Sequence, residues 1–313
     1  MSDRNVLLVS HVRRDEALHA TAETARFLLD SGIRPIMVDV ERDALAQWAA
    51  ATDNSATAAG IGVLGVDAHV ADLELAVVLG GDGTILKAAE VVREVNTPLL
   101  GINLGHVGFL AESERDGLRD AVQRVVAKDY LVKERLTLDV RVEVDGKLVY
   151  STWALNECTV EKSAAEKMLS VVVEIDERPL SAFGADGIVM STPTGSTAYA
   201  FSAGGPVVWP SVEALLLVPI SAHALFARPL VISPDSMMAV EVSQDSSGNG
   251  VLWCDGRRTT TLPRGARVEV RRSADSIRIA RFRQGVFTDR LVAKFALPVT
   301  GWRGTTRGAD EEI

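Results

Sequence analysis

The chain has 313 residues, with 33 basic and 42 acidic side chains and a formal charge of −9. Hydrophobic residues make up 47% and the mean hydropathy is +0.14, so the chain can bury a large core and wholesale disorder is excluded. The net negative charge argues against electrostatic binding of nucleic acid or of an anionic membrane over a broad surface. No apolar run approaches the ~20 residues of a membrane-spanning helix, and the first residues lack a secretory signal, so we expect a cytoplasmic protein.

The first third of the sequence alternates strand and helix patterns. The helical pattern over residues 15–30 ends at Ser31-Gly32, a typical helix stop. Residues 52–60 are small and polar, as in a mobile loop. The order predicts a Rossmann-like α/β domain over residues 1–129. Its strands are expected at 6–9, 36–40, 75–79 and 99–103, and its helices at 15–30, 44–51, 84–92 and 114–127.

From about residue 130 the period changes to that of strands and hairpins. Asp145-Gly146 is a typical hairpin turn between two such strands. The pattern predicts a mostly-β domain over residues 130–284, folded as a sandwich-like double sheet. A C-terminal segment over 285–313 is expected to pack back on the first domain, with a disordered end after Arg303. The strands of the β domain are expected at 136–144, 148–160, 169–175, 179–190, 215–219, 230–232, 238–242, 251–254, 267–270 and 277–282.

Cysteine and histidine usage points away from disulfides and metal. Cys158 and Cys254 are far apart in sequence and lie in predicted strands, so both are expected to be reduced packing residues. The five histidines form no pair at metal-ligand spacing, and we assign no residue as a metal ligand.

The sequence Gly80-Gly81-Asp82-Gly83-Thr84 stands where a buried apolar run ends and a helical pattern begins. Glycines at such a junction let the backbone approach an anionic ligand, and the helix start adds free N–H groups. Asp82 would repel phosphate, so it is better suited to bind a hydroxyl, a metal ion or the proton of an attacking alcohol. Thr84 can cap the helix. The alternative is an ordinary strand-to-helix turn.

A second motif, Ser191-Thr-Pro-Thr-Gly-Ser-Thr197, precedes another helical pattern inside the β half. Its hydroxyls, its glycine and the helix start repeat the same phosphate-binding logic with neutral donors. Tyr199 adds a flat aromatic face and a hydroxyl for a nucleotide ligand. The alternative is a turn rich in serine and threonine that caps a helix.

These motifs carry a family resemblance. Gly80–Thr84, Asn156-Glu157, Asp186-Gly187 and the segment from Ser191 to Tyr199 occur in the order seen in NAD kinases. The sequence resembles a bacterial NAD kinase of actinobacterial type over most of its length. The first motif is shared with diacylglycerol, sphingosine and 6-phosphofructokinases, whereas the second is much more particular.

The resemblance implies an enzyme that transfers the γ-phosphoryl group of ATP, or of polyphosphate, to the 2′-hydroxyl of the adenosine ribose of NAD. The product would be NADP, with Mg²⁺ or another divalent cation as cofactor and a homodimer or homotetramer as the assembly. Asp82 would be the general base, and Asp186 would reach the nicotinamide end, either within its own subunit or from a neighbouring one. Phosphate binding is expected at Gly81, Gly83, Thr84 and Lys87, and NAD binding at Gly83, Phe109, Asn156, Glu157, Asp186, Thr194, Thr197, Ala198, Tyr199 and Ser202.

Other functions stay open at the level of sequence. A lipid kinase could share the first motif, although the acidic composition lacks a basic membrane-facing segment. A sugar-phosphate kinase would need arginines beside Asp82, and none stand there in the sequence. A sensor that binds NAD or NADP without turnover is the non-catalytic alternative.

Overall fold

The computed structural model describes residues 4–52, 54–104, 108–111, 113–114, 117–164, 167–282 and 287–299. Residues 105–107 and the tail from residue 300, including the end predicted to be disordered, lie outside these ranges. The chain forms two compact units, one running to Lys133 and resuming at Ile279, the other spanning Glu134–Arg278. The predicted boundaries after residues 129 and 284 differ from these by four and six residues.

The first unit alternates strands and helices along the chain, as predicted. Its elements, in chain order, are β1 Asn5–Ser10, α1 Asp15–Asp30, β2 Arg34–Met37, α2 Asp39–Ala50, α3 Ser55–Ala59, β3 Gly62–Val63, β4 Leu73–Leu79, α4 Asp82–Val92, β5 Leu99–Asn103, β6 Ser113–Glu114, α5 Leu118–Ala127 and β7 Leu131–Arg135.

The second unit is built mainly of strands, and the chain then returns to the first unit. The remaining elements are β8 Leu138–Val144, β9 Lys147–Ala154, β10 Glu157–Lys162, β11 Leu169–Ile175, β12 Arg178–Ala185, β13 Gly187–Ser191, α6 Tyr199–Ser202, β14 Leu215–Ile220, β15 Leu230–Ile232, β16 Met238–Val242, β17 Gly250–Cys254, β18 Arg258–Leu262, β19 Arg267–Arg272, β20 Ile277–Arg281 and α7 Phe287–Phe295.

The sheet of the first unit has the strand order β3-β2-β1-β4-β5-β20-β7, with β6 beside β5. The pairs from β3 to β5 are parallel, and β20 pairs with β5 in parallel as well. Strand β4 is buried along almost its whole length, which explains its unbroken apolar sequence. Helix α1 turns its small apolar residues, such as Ala17 and Ala25, toward the core.

Several predictions for this unit need correction. Strand β20 was assigned to the β domain, but it joins the parallel sheet because its apolar side chains complete that core. The predicted strand over 36–40 ends at Met37, and helix α2 begins at Asp39. Residues 55–59 form helix α3, which buries Ala58, instead of a loop. The predicted helix over 114–127 begins four residues later.

The described residues of the second unit form two antiparallel six-stranded sheets, in agreement with the predicted double sheet. The strand orders are β15-β14-β13-β10-β17-β18 and β12-β11-β16-β19-β8-β9. One apolar core combines side chains from both sheets, such as Cys158 and Ile188 from the first and Val140 and Val171 from the second. Cys158 and Cys254 lie opposite each other on β10 and β17, and both are free and buried.

Two long predicted strands are each broken in two. The strand over 148–160 breaks at Leu155-Asn156, and the strand over 179–190 breaks at Asp186. Both breaks fall on motif residues, so the interruptions in the ladder place Asn156 and Asp186 at the ends of strands.

Candidate functional site

The first part of the site lies at the carboxyl ends of β1, β4 and β5. The strand order reverses direction between β1 and β4, and ligands of open parallel sheets bind at such switch points. A cavity of about 260 Å³ occupies this position. It is lined by His11, Arg14, Glu16, Ala17, Gly80, Gly81, Asp82, Asn103, Leu104, Gly108 and Lys294.

The glycines of the first motif have different tasks. A side chain at Gly80 would collide with the Oγ1 atom of Thr84, so Gly80 permits the tight turn into α4. A side chain at Gly81 or Gly83 would meet open space, so these two positions leave room for a ligand. Thr84 was expected to cap the helix, but Gly81 is the N-cap residue and Thr84 is buried in the first turn.

Asp82 is held by the loop that follows β5. The Phe109 N–H donates to Oδ2 and the Leu110 N–H donates to Oδ1, each at 3.2 Å. Gly108 passes so close that a side chain there would collide with the carboxylate. The Asp82 carboxylate is therefore fixed in direction at the wall of the cavity.

Two arginines from the C-terminal part of the chain brace the same loop. Arg290 donates to the carbonyl oxygens of Phe109 and Ala111 at 2.9 and 2.7 Å. Arg281 donates to the same two oxygens at 3.4 and 3.2 Å. The carbonyl oxygens of this loop thus accept hydrogen bonds from the two arginines, while its N–H groups donate to Asp82.

The sequence predicted that Phe109 lines the NAD pocket. In the structure Phe109 is buried within the first unit. Its ring lies 5.9 Å from the ring of Phe287 and 5.8 Å from that of Phe295, between centroids. Helix α7 therefore packs on the loop that holds Asp82.

Lys87 was predicted to bind phosphate, but in the structure it pairs with a carboxylate. Its ammonium group forms an ion pair with Glu41, a carboxylate that is 1% exposed and also accepts the Ser10 N–H. A buried carboxylate needs a partner of opposite charge, and Lys87 supplies it. The charge of Lys87 is already matched within the fold.

In the second unit, Asp255 organises the break between β9 and β10. Its carboxylate accepts the N–H groups of Leu155 at 2.9 Å, Asn156 at 2.7 Å and Glu157 at 3.4 Å. Arg258 donates to the same carboxylate at 2.7 Å. Burial raises the pKa of Asp255, while these amides and Arg258 oppose the rise.

Glu157 has a buried carboxyl group that the protein satisfies in part. The residue is 7% exposed, and the Tyr199 backbone amide donates to its carboxyl group. Its Oε2 atom has no hydrogen-bond partner among the described residues. Burial, together with the nearby charge of Asp255, raises the pKa of Glu157 to about 8. At neutral pH this group is mostly protonated and can donate as well as accept a hydrogen bond.

The hydroxyl groups of the second motif mostly bind the protein itself. Ser191 and Thr192 donate to the carbonyl oxygens of Asn156 and Leu155, at 3.0 and 2.6 Å. A side chain at Gly195 would overlap the Asn156 carbonyl oxygen, so the close approach that we predicted is to the protein backbone. The helix expected from residue 197 is only α6, a single turn, and it offers no helix dipole of consequence.

The remaining predicted residues of this unit include Tyr199, its neighbours in the sequence and Asp186. Tyr199 is 39% exposed, and its pKa is raised by burial and by the charges of Glu161, Glu157 and Asp186. Asp186 forms an ion pair with Lys162, which lowers the pKa of the Asp186 carboxyl. Thr194 is buried, whereas Thr197 and Ala198 are partly exposed and Ser202 is exposed. The structure thus brings Asn156, Glu157, Asp186 and Tyr199 to one region.

Sequence reasoning missed Asp255, Arg281 and Arg290. Asp255-Gly256 resembles any hairpin turn, and nothing in the sequence ties its carboxylate to amides about 100 positions away. Sequence reasoning also missed Arg14, although one indication was available. Arg14 follows β1, and the carboxyl ends of adjacent parallel strands meet at one edge of a sheet.

The described residues contain no group of three or more His, Cys, Asp or Glu side chains placed to hold a metal ion. Among the helices of the described ranges, none combines the length and apolar character needed to span a bilayer.

Known proteins share this architecture. Crystal structures of yeast NADH kinase complexed with NADH and of an Archaeoglobus fulgidus NAD kinase in complex with ATP superpose with TM-scores of 0.83 and 0.67. The yeast enzyme is 23% identical, and the match covers 96% of this chain and 90% of the yeast chain. The Archaeoglobus enzyme is 22% identical, and the match covers 94% of this chain and 98% of the Archaeoglobus chain. At these identities the likeness shows the fold.

Sequence comparison is more specific. The family models for the ATP-NAD kinase N-terminal and C-terminal domains match residues 6–130 and 155–282. A protein named NAD kinase from Leifsonia xyli is 60% identical over 303 residues, covering 97% of this chain and 98% of the relative. The NAD kinase of Mycobacterium tuberculosis is 51% identical over 303 residues, covering 96% and 98%. The chain therefore belongs to the NAD kinase family.

Proposed function

We propose that this member of the family transfers the γ-phosphoryl group of ATP to the 2′-hydroxyl of the adenosine ribose of NAD, producing NADP in the cytoplasm. The observation that carries the proposal is the Asp82 carboxylate, fixed by two backbone amides at the wall of the switch-point cavity. Relatives that share at least half of their residues with this chain over nearly its full length are named NAD kinases, which supports the choice of substrate.

Asp82 acts on the attacking hydroxyl. The carboxylate accepts the proton of the 2′-hydroxyl while the ribose oxygen forms a bond to the γ-phosphorus and the bond to the ADP oxygen breaks. In a loose transition state the bond from the attacking oxygen to phosphorus is only slightly formed, so the direction of the hydroxyl matters as much as the basicity of the carboxylate. The two amide contacts to Asp82 supply that direction.

The second unit supplies the residues that bind NAD. The carboxyl group of Glu157, whose buried Oε2 atom has no hydrogen-bond partner in the described part of the chain, suits ribose oxygens, and the Asn156 amide suits the edge of adenine. Tyr199 offers an exposed ring face and a hydroxyl. Thr194, Thr197, Ala198 and Ser202 complete this set, while Gly83 and Phe109 belong to the first unit. The family resemblance further implies a homodimer or homotetramer in which Asp186 reaches the nicotinamide end from a neighbouring subunit.

Mg²⁺ or another divalent cation is part of the proposal. Of the residues that the structure describes, Glu16 and Asp82 are the carboxylates that line the cavity, too few to form a protein cage for the ion. This donor set fits an ion carried mainly by the donor phosphates and by water. When bound, such an ion offsets phosphate charge during transfer.

The test is the identity of the product. Purified protein is incubated with ATP and Mg²⁺ and, separately, with NAD, NADH, diacylglycerol or fructose 6-phosphate, and each product is identified by mass and by ³¹P spectroscopy. We expect a 2′-phosphate on NAD. Binding of NAD without product would favour a sensor, and a phosphorylated lipid or sugar would favour the other kinases; any of these results would overturn the proposal.

A further inference from the structure

The cavity beside Asp82 is lined by two basic side chains that lie outside the first motif. Arg14 reaches it from the end of the β1–α1 turn, and Lys294 reaches it from the last turn of α7. These two side chains are 280 positions apart in the sequence, yet both line the cavity that contains Gly81 and Asp82. Two remote cations converge on one small space.

Neither cation has a carboxylate partner among the described residues, in contrast to other basic side chains of the first unit. Arg4, Arg34 and Lys87 form ion pairs with Glu74, Asp67 and Glu41. A lone surface cation is ordinarily only solvated. Two that face the same cavity, next to the open position of Gly81, form a site for an anion.

The cavity also contains the carboxylates of Glu16 and Asp82. Among the described lining residues, two cations would attract a simple anion and two carboxylates would repel it. A polyphosphate chain that carries a divalent cation matches both signs, because its oxygens suit the cations and its metal ion suits the carboxylates.

The size of the cavity restricts the ligand further. At about 260 Å³ it is smaller than the roughly 300–1,000 Å³ that encloses a drug-sized molecule. It therefore has room for phosphate groups rather than for a complete nucleotide. Gly81, which has no side chain, lets those groups approach the start of α4.

We infer that Arg14 and Lys294 bind the polyphosphate chain of the phosphoryl donor, in a subsite formed by the β1–α1 turn and α7. The inference rests on the proposed kinase function. It assigns to these two residues the donor contacts that Lys87, paired with Glu41, does not make.

The test compares Arg14→Ala and Lys294→Ala with the wild type. Initial rates are measured with varied ATP at saturating NAD and with varied NAD at saturating ATP. We expect the KM for ATP to rise about tenfold or more in each variant, since each loses a charge-assisted contact, while the KM for NAD stays within twofold. Arg14→Lys should recover part of the loss. Arg13→Ala is the matched control, because this neighbouring arginine does not line the cavity.

A binding measurement separates the inference from the proposed function. Inorganic tripolyphosphate with Mg²⁺ is titrated into each protein by calorimetry, without NAD. Weaker tripolyphosphate binding in both alanine variants, but not in Arg13→Ala, supports the subsite even if the wild type makes no NADP. Unchanged tripolyphosphate affinity together with an unchanged KM for ATP overturns the inference, and NADP formation by the same proteins would leave the kinase function intact.

Discussion

At the scale of single residues, the neighbouring acids Glu157 and Asp255 have different hydrogen-bond partners, and this difference affects their pKa values. The Asp255 carboxylate accepts three backbone N–H groups and pairs with Arg258, and these contacts oppose the rise in its pKa that burial causes. Burial and the nearby charge of Asp255 raise the pKa of Glu157 to about 8, and within the described ranges the Tyr199 amide is the group that opposes this rise. Two close buried carboxyl groups do not both ionise readily, and this arrangement leaves the proton on Glu157.

This difference predicts a pH-dependent cost in stability. Between about pH 4.5 and pH 8 the folded protein keeps a proton on Glu157 that the unfolded chain releases, so stability falls as pH rises. We expect the wild type to lose up to about 1.4 kcal/mol per pH unit relative to Glu157→Gln across this range. Urea unfolding at pH 5, 6, 7 and 8 measures the difference.

The control for this experiment is Glu134→Gln, which changes an exposed carboxyl on β7. It should follow the wild type at every pH. A constant offset between the wild type and Glu157→Gln would show that Glu157 is ionised throughout the range.

At the scale of elements, loops between strands are held by charges placed elsewhere in the chain. Asp255, at the end of β17, fixes the turn between β9 and β10, and Arg281 and Arg290 fix the loop after β5. In each case a buried or partly buried charge satisfies backbone groups that no ladder partner reaches. Asp82, which we propose as the reacting side chain, accepts hydrogen bonds from the second of these loops, and Glu157, which we propose binds NAD, directly follows the first.

Asp255→Asn should therefore weaken NAD binding more than it slows turnover. The amide keeps the volume but removes the charge that holds Leu155, Asn156 and Arg258. We expect the KM for NAD to rise about tenfold with a smaller change in kcat, and the protein to lose about 3 kcal/mol or more of unfolding free energy. Steady-state kinetics and urea unfolding measure the two effects.

Asp176→Asn is the matched control. Asp176 also has a positive φ in a hairpin turn and accepts the Met237 N–H at 2.8 Å, but its partners lie outside the candidate site. It should lower stability without changing the KM for NAD. If both variants lost stability and neither changed that KM, Asp255 would be a structural residue only.

At the scale of the whole molecule, periodicity was enough to predict the two-part architecture. Helix α1 and strands β5 and β11 have the predicted bounds because their apolar patterns are complete within the element. Strand β20 was misassigned because its pattern suits either sheet, and only the neighbour that it buries decides. Asn156 and Asp82 were identifiable by motif, whereas Asp255 and Arg290 act through contacts more than 90 positions away in the sequence, and Lys294 lines a cavity whose other lining residues lie between positions 11 and 108.

The central claim, that the Asp82 carboxylate acts on the 2′-hydroxyl of NAD, is tested most directly by Asp82→Asn. NAD affinity is measured by calorimetry and NADP formation by single-turnover kinetics in the same preparations. We predict an NAD dissociation constant within about tenfold of the wild type, a difference of about 1.4 kcal/mol at most, and a rate reduced by about 10² or more. A variant that forms NADP at the wild-type rate, or that loses affinity and rate by the same factor, would contradict the account.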